Sequence, residues 1–333
     1  MVCDLQIGRL EVVGIKPEVT YGVEAVGNFF WLPVKTKNWK LIQNFANDDQ
    51  AIGIREDSTD SEITESNAEI TLSNIVTDDL TGLLLSGVFG KSPTSIQQST
   101  PNEAVYDHTF LAEQTSCLKS FTLIFQDGNQ VVKILGCRVD TYDYKQERGD
   151  FLMQDIKFIG KQITDLTPPS TEVPTFVSEN RFLAKHATVK IADTVANLGA
   201  ANEEKLSSLS IAFSNNLAIT HETASQNPSD IVATQLTTEL ALESSFRNVD
   251  LYNIFRNNNK RAIEINITDI TKTIGNDQNP IVKFIIAKAT LNDYNKDTPN
   301  DEIMKQTTAF KAHYSSTDGF AIKSEVRNLT TTY

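Results

Sequence analysis

The sequence predicts a mainly β protein made of two tandem β-sandwich or barrel modules, each with a short α-helix packed on its sheet. Three observations lead there. Residues 132–144, Val-Lys-Ile-Leu-Gly-Cys-Arg-Val-Asp-Thr-Tyr-Asp-Tyr, return in altered form as 282–294, Val-Lys-Phe-Ile-Ile-Ala-Lys-Ala-Thr-Leu-Asn-Asp-Tyr. Val132/Val282, Lys133/Lys283, Asp143/Asp293 and Tyr144/Tyr294 are identical in that ungapped window, where ordinary composition gives about one identity by chance. Apolar and polar residues alternate with period two in several stretches, the pattern of strands with one buried face. The length of 333 residues holds about two ordinary domains, which is what a duplicated module requires.

In 68–73, Ala68, Ile70 and Leu72 alternate with Glu69, Thr71 and Ser73, and the partner strand is expected within 30–45. Thr77 then caps a short helix with Asp78 and Asp79 in its first turn, Leu80, Leu83, Leu84 and Val88 on one side and Gly90 at its stop. Such a helix is amphipathic and packs on a sheet. Phe121, Leu123 and Phe125 form another alternating run, Asp127-Gly128 turns a hairpin into a strand from Val131, and a last strand is expected at 152–161. Pro168, Pro169 and Pro174 remove three backbone donors, so 166–175 reads as a linker between a first module, 1–165, and a second, 176–333.

The second half replays this order. Leu209, Ile211 and Phe213 alternate with Ser208, Ser210 and Ala212; Leu236, Leu240 and Leu242 alternate with Gln235, Glu239 and Ala241. Leu251, Ile254 and Phe255 supply the helix, Ile263, Ile265 and Ile267 the next strand, and Gly275-Asn276-Asp277 the turn into the repeated segment. The first half differs by a long polar loop, 46–66, and by an insertion, 91–118, that reads as an irregular excursion. The loop holds Asp48, Asp49, Glu56, Asp57, Asp60, Glu62 and Glu65 against Arg55, so it carries −6 of the chain's −13. A loop of that length inside a compact domain is usually functional or mobile.

A net charge of −13 argues against tight wrapping of nucleic acid, which needs clustered cations. Cys3, Cys117 and Cys137 contain no CxxC pair, so neither a disulfide framework nor a zinc knuckle is written in their spacing, and a reducing interior fits better. No stretch approaches the length needed to span a bilayer, and the N-terminus lacks a signal-peptide pattern, so membrane insertion is not expected. No nucleotide-binding, zinc-protease or serine-hydrolase motif is present. His108 and Cys117 share the insertion without a third group to position them, and Cys117 reads as a small core residue. Asp57, Asp60 and Glu62 lack the order of a calcium loop. No catalytic residue, metal or cofactor is expected, and the chain does not read as an enzyme.

The run Ser207–Leu217, then Asn227-Pro228-Ser229-Asp230-Ile231-Val232, an alternating strand, and Val249-Asp250-Leu251-Tyr252-Asn253-Ile254-Phe255 resembles the second half of bacteriophage tail tube (major tail) proteins of long-tailed phages. The first half fits as well: Tyr21-Gly22-Val23-Glu24-Ala25, Trp31-Leu32-Pro33-Val34, Leu83-Leu84-Leu85 leading to Phe89-Gly90, and His108-Thr109-Phe110 before the hairpin. The resemblance covers nearly the whole chain as an ordered set of loose motifs.

It implies a virion structural protein whose modules stand side by side in rings and give strands to an inner β-barrel. Stacked rings form a negatively charged conduit through which genomic double-stranded DNA passes without specific binding. With two modules per chain, three chains make a pseudo-hexameric ring; a hexamer of chains with one tube-forming module each is the alternative. The implied partners are further copies of the chain, the tape-measure protein, and tail-terminator or baseplate proteins, in a tail assembled from subunits made in the host cytoplasm. Glu69, Thr71, Glu239, Glu264 and Asn266 are the expected lumen-lining residues. Asp48, Asp49, Arg55, Glu56, Asp57, Asp60 and Glu62 are the expected ring-to-ring loop. Two other readings share the composition: another phage assembly protein, such as a baseplate ring or capsid decoration, and a two-domain β-sandwich ligand-binding protein using Trp31 and Trp39.

Overall fold

Where apolar and polar residues alternate, the chain forms strands. The computed structural model describes residues 7–50, 52–53, 55, 57–147, 149–166, 172–177 and 179–333. Its first half runs β1 (Val12–Pro17), β2 (Phe30–Leu32), β3 (Val34–Asp48), β4 (Asp60–Ile75), α1 (Asp78–Phe89), β5 (Thr94–Gln97), β6 (Tyr106–Leu111), β7 (Phe121–Gln126), β8 (Val131–Glu147), β9 (Met153–Gly160) and β10 (Gln162–Leu166). The second half runs β11 (Ala187–Ala192), β12 (Glu203–Glu204), β13 (Leu206–Ser214), β14 (Leu217–Thr220), β15 (Asp230–Ala233), β16 (Thr237–Ser245), α2 (Asp250–Arg256), β17 (Arg261–Thr268), β18 (Ile281–Asp297), β19 (Lys305–His313) and β20 (Ile322–Asn328). The protein is mainly β, as the alternation predicts. Of the proline segment, 172–177 is irregular, and Pro168 and Pro169 lie outside the described residues.

The pairings define two layers, because β8 and β18 each cross from one to the other. The first half of β8, to Leu135, pairs with β10, and from Arg138 onward it pairs with β9. Gly136, at φ 66°, sits at the crossing, a backbone state that costs glycine nothing. β18 repeats this: residues to Ile286 pair with β20, and from Lys288 onward with β19. One layer is an antiparallel sheet in the order β3, β4, β9, late β8, β13, β16, β19, late β18. The other holds β2, β1, β7, early β8 and β10 in the first half. Its second-half part is β12, β11, β17, early β18, β20, β6 and β5. β7 and β17 stand in the layer opposite β4, so Glu264 and Asn266, expected in the lumen set, do not share a sheet with Glu69 and Thr71.

Between the layers lies one apolar core running through both halves. Tyr142 touches Phe213 and Phe213 touches Phe284, each with ring centroids 5.8 Å apart, and Phe89 meets Phe213 edge-on at 6.0 Å. Each such ring, fully buried, contributes roughly 1.5–3 kcal/mol of transfer free energy, so the halves are held by packing as well as by strand pairing. A buried guanidinium adds to this: Arg138 Nη1 donates to Asp230 Oδ1 at 2.7 Å and to the Ile231 carbonyl, and the group stacks 4.3 Å over Tyr21.

α1 forms where expected and stops at Gly90 in the left-handed region. It is not amphipathic, however: Leu80, Leu83, Leu84, Leu85 and Phe89 are buried together with Thr81, Ser86 and both helix glycines, because the second half covers its far side. Nor does Thr77 cap it through its side chain. Its hydroxyl donates to Glu179, whose Oε2 also accepts the Leu80 N–H at 3.1 Å, a carboxylate being the stronger acceptor at the positive end of a helix. Asp78 accepts from the Asn180 backbone N–H at 3.0 Å and from Asn180 Nδ2 at 2.7 Å.

Two further corrections concern the loops. About half of the segment 46–66 is strand: β3 and β4 stay paired out to Asp48 opposite Asp60, with a register shift at Asn44/Phe45, and the connection between them is confined to 49–59. Polar residues populate both faces there because neither is covered. The 91–118 insertion is no irregular excursion either, since β5 and β6 form a hairpin that β6 adds to the edge of β20. Cys117 is exposed, not part of the core.

Burial pushes the Asp78 carboxyl up to about 6, from 3.8. A carboxyl with a higher value folded than unfolded holds its proton more tightly in the native state, so its contribution to stability is present below the unfolded value and is lost as pH rises through the folded one. Relative to wild type, Asp78→Asn should therefore gain up to about 3 kcal/mol between pH 3.5 and pH 7 in urea denaturation; parallel pH profiles would contradict this. Arg138→Met should cost about 2 kcal/mol, moderated by the partial exposure of Asp230, and should lower amide-exchange protection in 208–214 before it does so in 187–192.

Candidate functional site

Repeated strand order places repeat-related residues in matching rows. Thr36, Ser73, Asp155 and Asp143 lie in one cross-strand row, and Ser210, Ala241, Ala309 and Asp293 in the other. Asp143 and Asp293 are the identity noted in the sequence, so β3 corresponds to β13 and β4 to β16. Inside the chain β8 joins β13: Thr141 lies opposite Ser214, Tyr144 opposite Ile211 and Glu147 opposite Ser208. At the two ends of this sheet the corresponding strands have no such neighbour. Among the described residues β3 pairs only with β4, and residues 290–297 of β18 pair only with β19. One antiparallel sheet thus carries two unpaired edges that are repeat-related to a pairing it already contains.

The face of this sheet turned away from the core collects polar and small side chains. Glu69, Thr71 and Glu239 stand on it, together with Asp143, Asp155, Ser210, Ala212 and Thr307, because Ile70, Leu72, Leu240 and Phe213 point inward from the same strands. Glu264 and Asn266 are not brought to this face. They stand on β17, in the other layer, opposite Lys190 and Thr188. The carboxylates of the polar face are largely matched by lysines: Lys157 lies 3.4 Å from Glu69, Lys145 lies 2.8 Å from Asp155, and Lys305 lies 3.1 Å from Glu243. Glu239 is opposite Lys311 in register. Sequence reading missed these lysines, because the pairs form across neighbouring strands: Lys157 of β9 reaches Glu69 of β4, Lys145 of β8 reaches Asp155 of β9, and Lys305 of β19 reaches Glu243 of β16.

Of the expected ring-to-ring residues, Asp48 ends β3 and Asp60 and Glu62 begin β4, while Asp49, Arg55 and Asp57 lie on the exposed connection and Glu56 lies outside the described residues. The hairpin leans on the second half through its base: the Ser66 N–H donates to the Gln226 carbonyl at 2.8 Å, and Gln226 Nε2 donates to the Ile63 carbonyl at 3.2 Å. The two helices are unequal. α1 is buried all round, but α2 presents Val249, Tyr252 and Phe255 beside its buried Leu251 and Ile254, and these three are 38–53% exposed.

Elsewhere, His108 is buried, bonded to Ser95 Oγ at 2.7 Å and to Asn328 Oδ1 at 3.1 Å, which is a packing arrangement. Trp31 is buried and Trp39 packs against Phe125. Among the described residues no group of three or more His, Cys, Asp or Glu stands close enough to hold a metal ion, and no helix is long and apolar enough to cross a membrane.

No match to this chain is found among curated proteins. The family model described as phage tail tube protein matches residues 8–312, which takes in the strands from β1 through nearly all of β19, the polar face and the two unpaired edges, and leaves out β20. The chain belongs to the phage tail tube protein family and is a structural component of the virion tail.

Proposed function

We propose that residues 1–165 and 176–333 are two copies of one tube-forming module, that three chains close a pseudo-hexameric ring, and that stacked rings form the conduit for genomic DNA. The observation that carries this reading is the pair of unpaired edges. If 291–297 of one copy pairs with 40–34 of the next, Asp293 lies opposite Asn38 and Tyr294 opposite Lys37, the same register as Asp143 with Ala212 and Tyr144 with Ile211 in the chain. Three such sheets joined head to tail leave no free edge, which is the stable condition for a β-barrel. Exposure on α2 supports the same arrangement, since the surface that buries α1 belongs to the following module, and for α2 the following module is on another copy.

In that barrel the polar face lines the lumen, with Glu69, Thr71 and Glu239 on it. Its low affinity for DNA then rests on two features: an excess of carboxylate over the whole chain, and lysines neutralised by neighbouring carboxylates. The β3–β4 hairpin tip reaches past the sheet and is the candidate contact between rings. Subunits made in the host cytoplasm would meet the tape-measure protein in the lumen and terminator or baseplate proteins at the tube ends.

Successive strand residues point their N–H groups to opposite sides, so of Asn295→Pro and Lys296→Pro one removes a donor from the unpaired edge and the other disrupts the β19 pairing. The edge variant should keep the monomer's circular dichroism and melting curve yet form no rings in electron micrographs; rings from both variants would refute the edge pairing. Deleting 48–62 should leave a folded chain unable to form tubes, and tubes of normal length from the deletion would refute the hairpin's role.

A further inference from the structure

The seam inside the chain is closed by more than backbone. Next to the β8–β13 pairing, Arg138 binds Asp230 and the Ile231 carbonyl, and Asp140 Oδ1 accepts the Leu217 N–H at 3.3 Å. The repeat turns Arg138 into Lys288 and Asp140 into Thr290. In the isolated chain both have lost their partners. Lys288 is exposed and has no carboxylate within 4.0 Å among the described residues, and Thr290 Oγ1 is buried without a hydrogen bond.

Lys288 is also not alone. His313 lies opposite it in register and Lys311 opposite Thr290, with Lys260 near. Burial and then the charges of Lys260, Lys288 and Lys311 hold the His313 imidazole below its usual range, so the lysines are the cations of this patch. Among the described residues the carboxylate facing it in register is Glu239, across from Lys311 and not in ion-pair contact with it. A cleft of about 380 Å³, with Lys311, His313, Thr237 and Tyr314 on its wall, opens beside it.

The matching anion can be located by the same repeat. Carried from β13 to β3, where Ser210 corresponds to Thr36, Asp230 falls at position 56; carried from β16 to β4, where Ala241 corresponds to Ser73, it falls at position 62. From 56 to 62 the chain holds Glu56, Asp57, Asp60 and Glu62; the last three are exposed and without ion pairs among the described residues.

We propose that the seam between two copies is closed by an ion-pair cluster in which Lys288, flanked by Lys311 and His313, receives Asp57, Asp60 and Glu62 from the returning arm of the neighbouring copy's β3–β4 hairpin. It is the between-copy counterpart of the Arg138–Asp230 bridge, and it rests on the ring reading above. Thr290 Oγ1 then accepts a backbone N–H from the same hairpin, near Gln43, as Asp140 does from Leu217. This role belongs to the arm beside the sheet and leaves the tip, 48–55, free to reach along the tube axis. The acidity of this hairpin, expected from the sequence to serve contact between rings, thereby acquires a partner within the ring.

The test is a charge swap in the full-length chain. Lys288→Glu with Lys311→Glu should raise the concentration needed for ring assembly by about tenfold or more, as should Asp57→Lys with Asp60→Lys and Glu62→Lys. In a ring of three, mixing the two sets restores opposite charges at two seams and leaves one seam with like charges, so rescue is incomplete; joining both sets in one chain restores the opposite charges at every seam and should restore assembly. A zero-length carbodiimide, which joins lysine amines directly to carboxylates, should give a Lys288 peptide linked to 57–62 in assembled wild type and not in monomer. If wild type assembles while the combined chain does not and no such peptide forms, the ion-pair cluster is wrong and the ring stands. Wild type that stays monomeric at every concentration overturns both.

Discussion

An antiparallel sheet has two outermost strands, and their outward N–H and C=O groups must be hydrogen-bonded, covered or left to water. Everything distinctive in this chain follows from how that obligation is met. In the interior of the long sheet it is met covalently close at hand: late β8 of the first half takes β13 of the second as its neighbour. At the ends it is not met, and the unpaired strands, β3 and late β18, are the very ones the duplication relates to the satisfied pair. Under the proposed ring, a monomer of this design is an unfinished object whose missing neighbour is its own copy.

The second layer explains why the edges stay aligned. β8 and β18 belong to both layers, so the position of the long sheet is tied to the opposite one through two continuous backbones and through the aromatic chain Tyr142, Phe213 and Phe284. Gly136 marks the crossing in β8, and the Glu18 carboxylate fixes it from beneath by accepting the Gly136 and Gly22 N–H groups, both at 2.8 Å, with the Ser120 and Thr122 hydroxyls. A buried carboxylate bonded this fully has its charge spread over four donors and serves as a rigid joint. The same logic governs α1, whose first turn is gripped by Glu179 and Asn180 from the segment between the halves and by Asn328, Thr330 and Tyr333 from the end of the chain.

Much of this was legible in the sequence where one face of a strand is buried and the other is not. Ile70 and Leu72, Leu123 and Phe125, Ile211 and Phe213, and Ile263, Ile265 and Ile267 alternate because the core lies on one side only, and the repeated segment turned out to be two long strands of equal role. Where burial is absent the signal is absent. Residues 43–48 and 60–66 are strands held by pairing alone, and their polar, acidic text reads as loop. β19 and β20 were not identified, since Gln306, Thr308 and Ser324 are polar residues at buried positions, and β5–β6 is extended only because β20 offers it an edge. Which sheet a strand joins is likewise not a local property, so Glu264 and Asn266 were grouped with Glu69 and Thr71 although β17 pairs on the other side of the core.

The hairpin β5–β6, annexed by β20, makes the two halves of the molecule unequal at their outer layer. At the corresponding place after α2 the chain passes through only a few residues, so β10 receives no such addition. In a ring of three chains, seams inside a chain would be double-stitched, by the long sheet and by the annexed hairpin, and seams between chains would be joined by the long sheet alone. A tube built this way would not be mechanically sixfold: under bending or internal pressure its compliance would concentrate along three lines of each ring, and the angular offset between stacked rings would decide whether those lines run straight or wind as a helix.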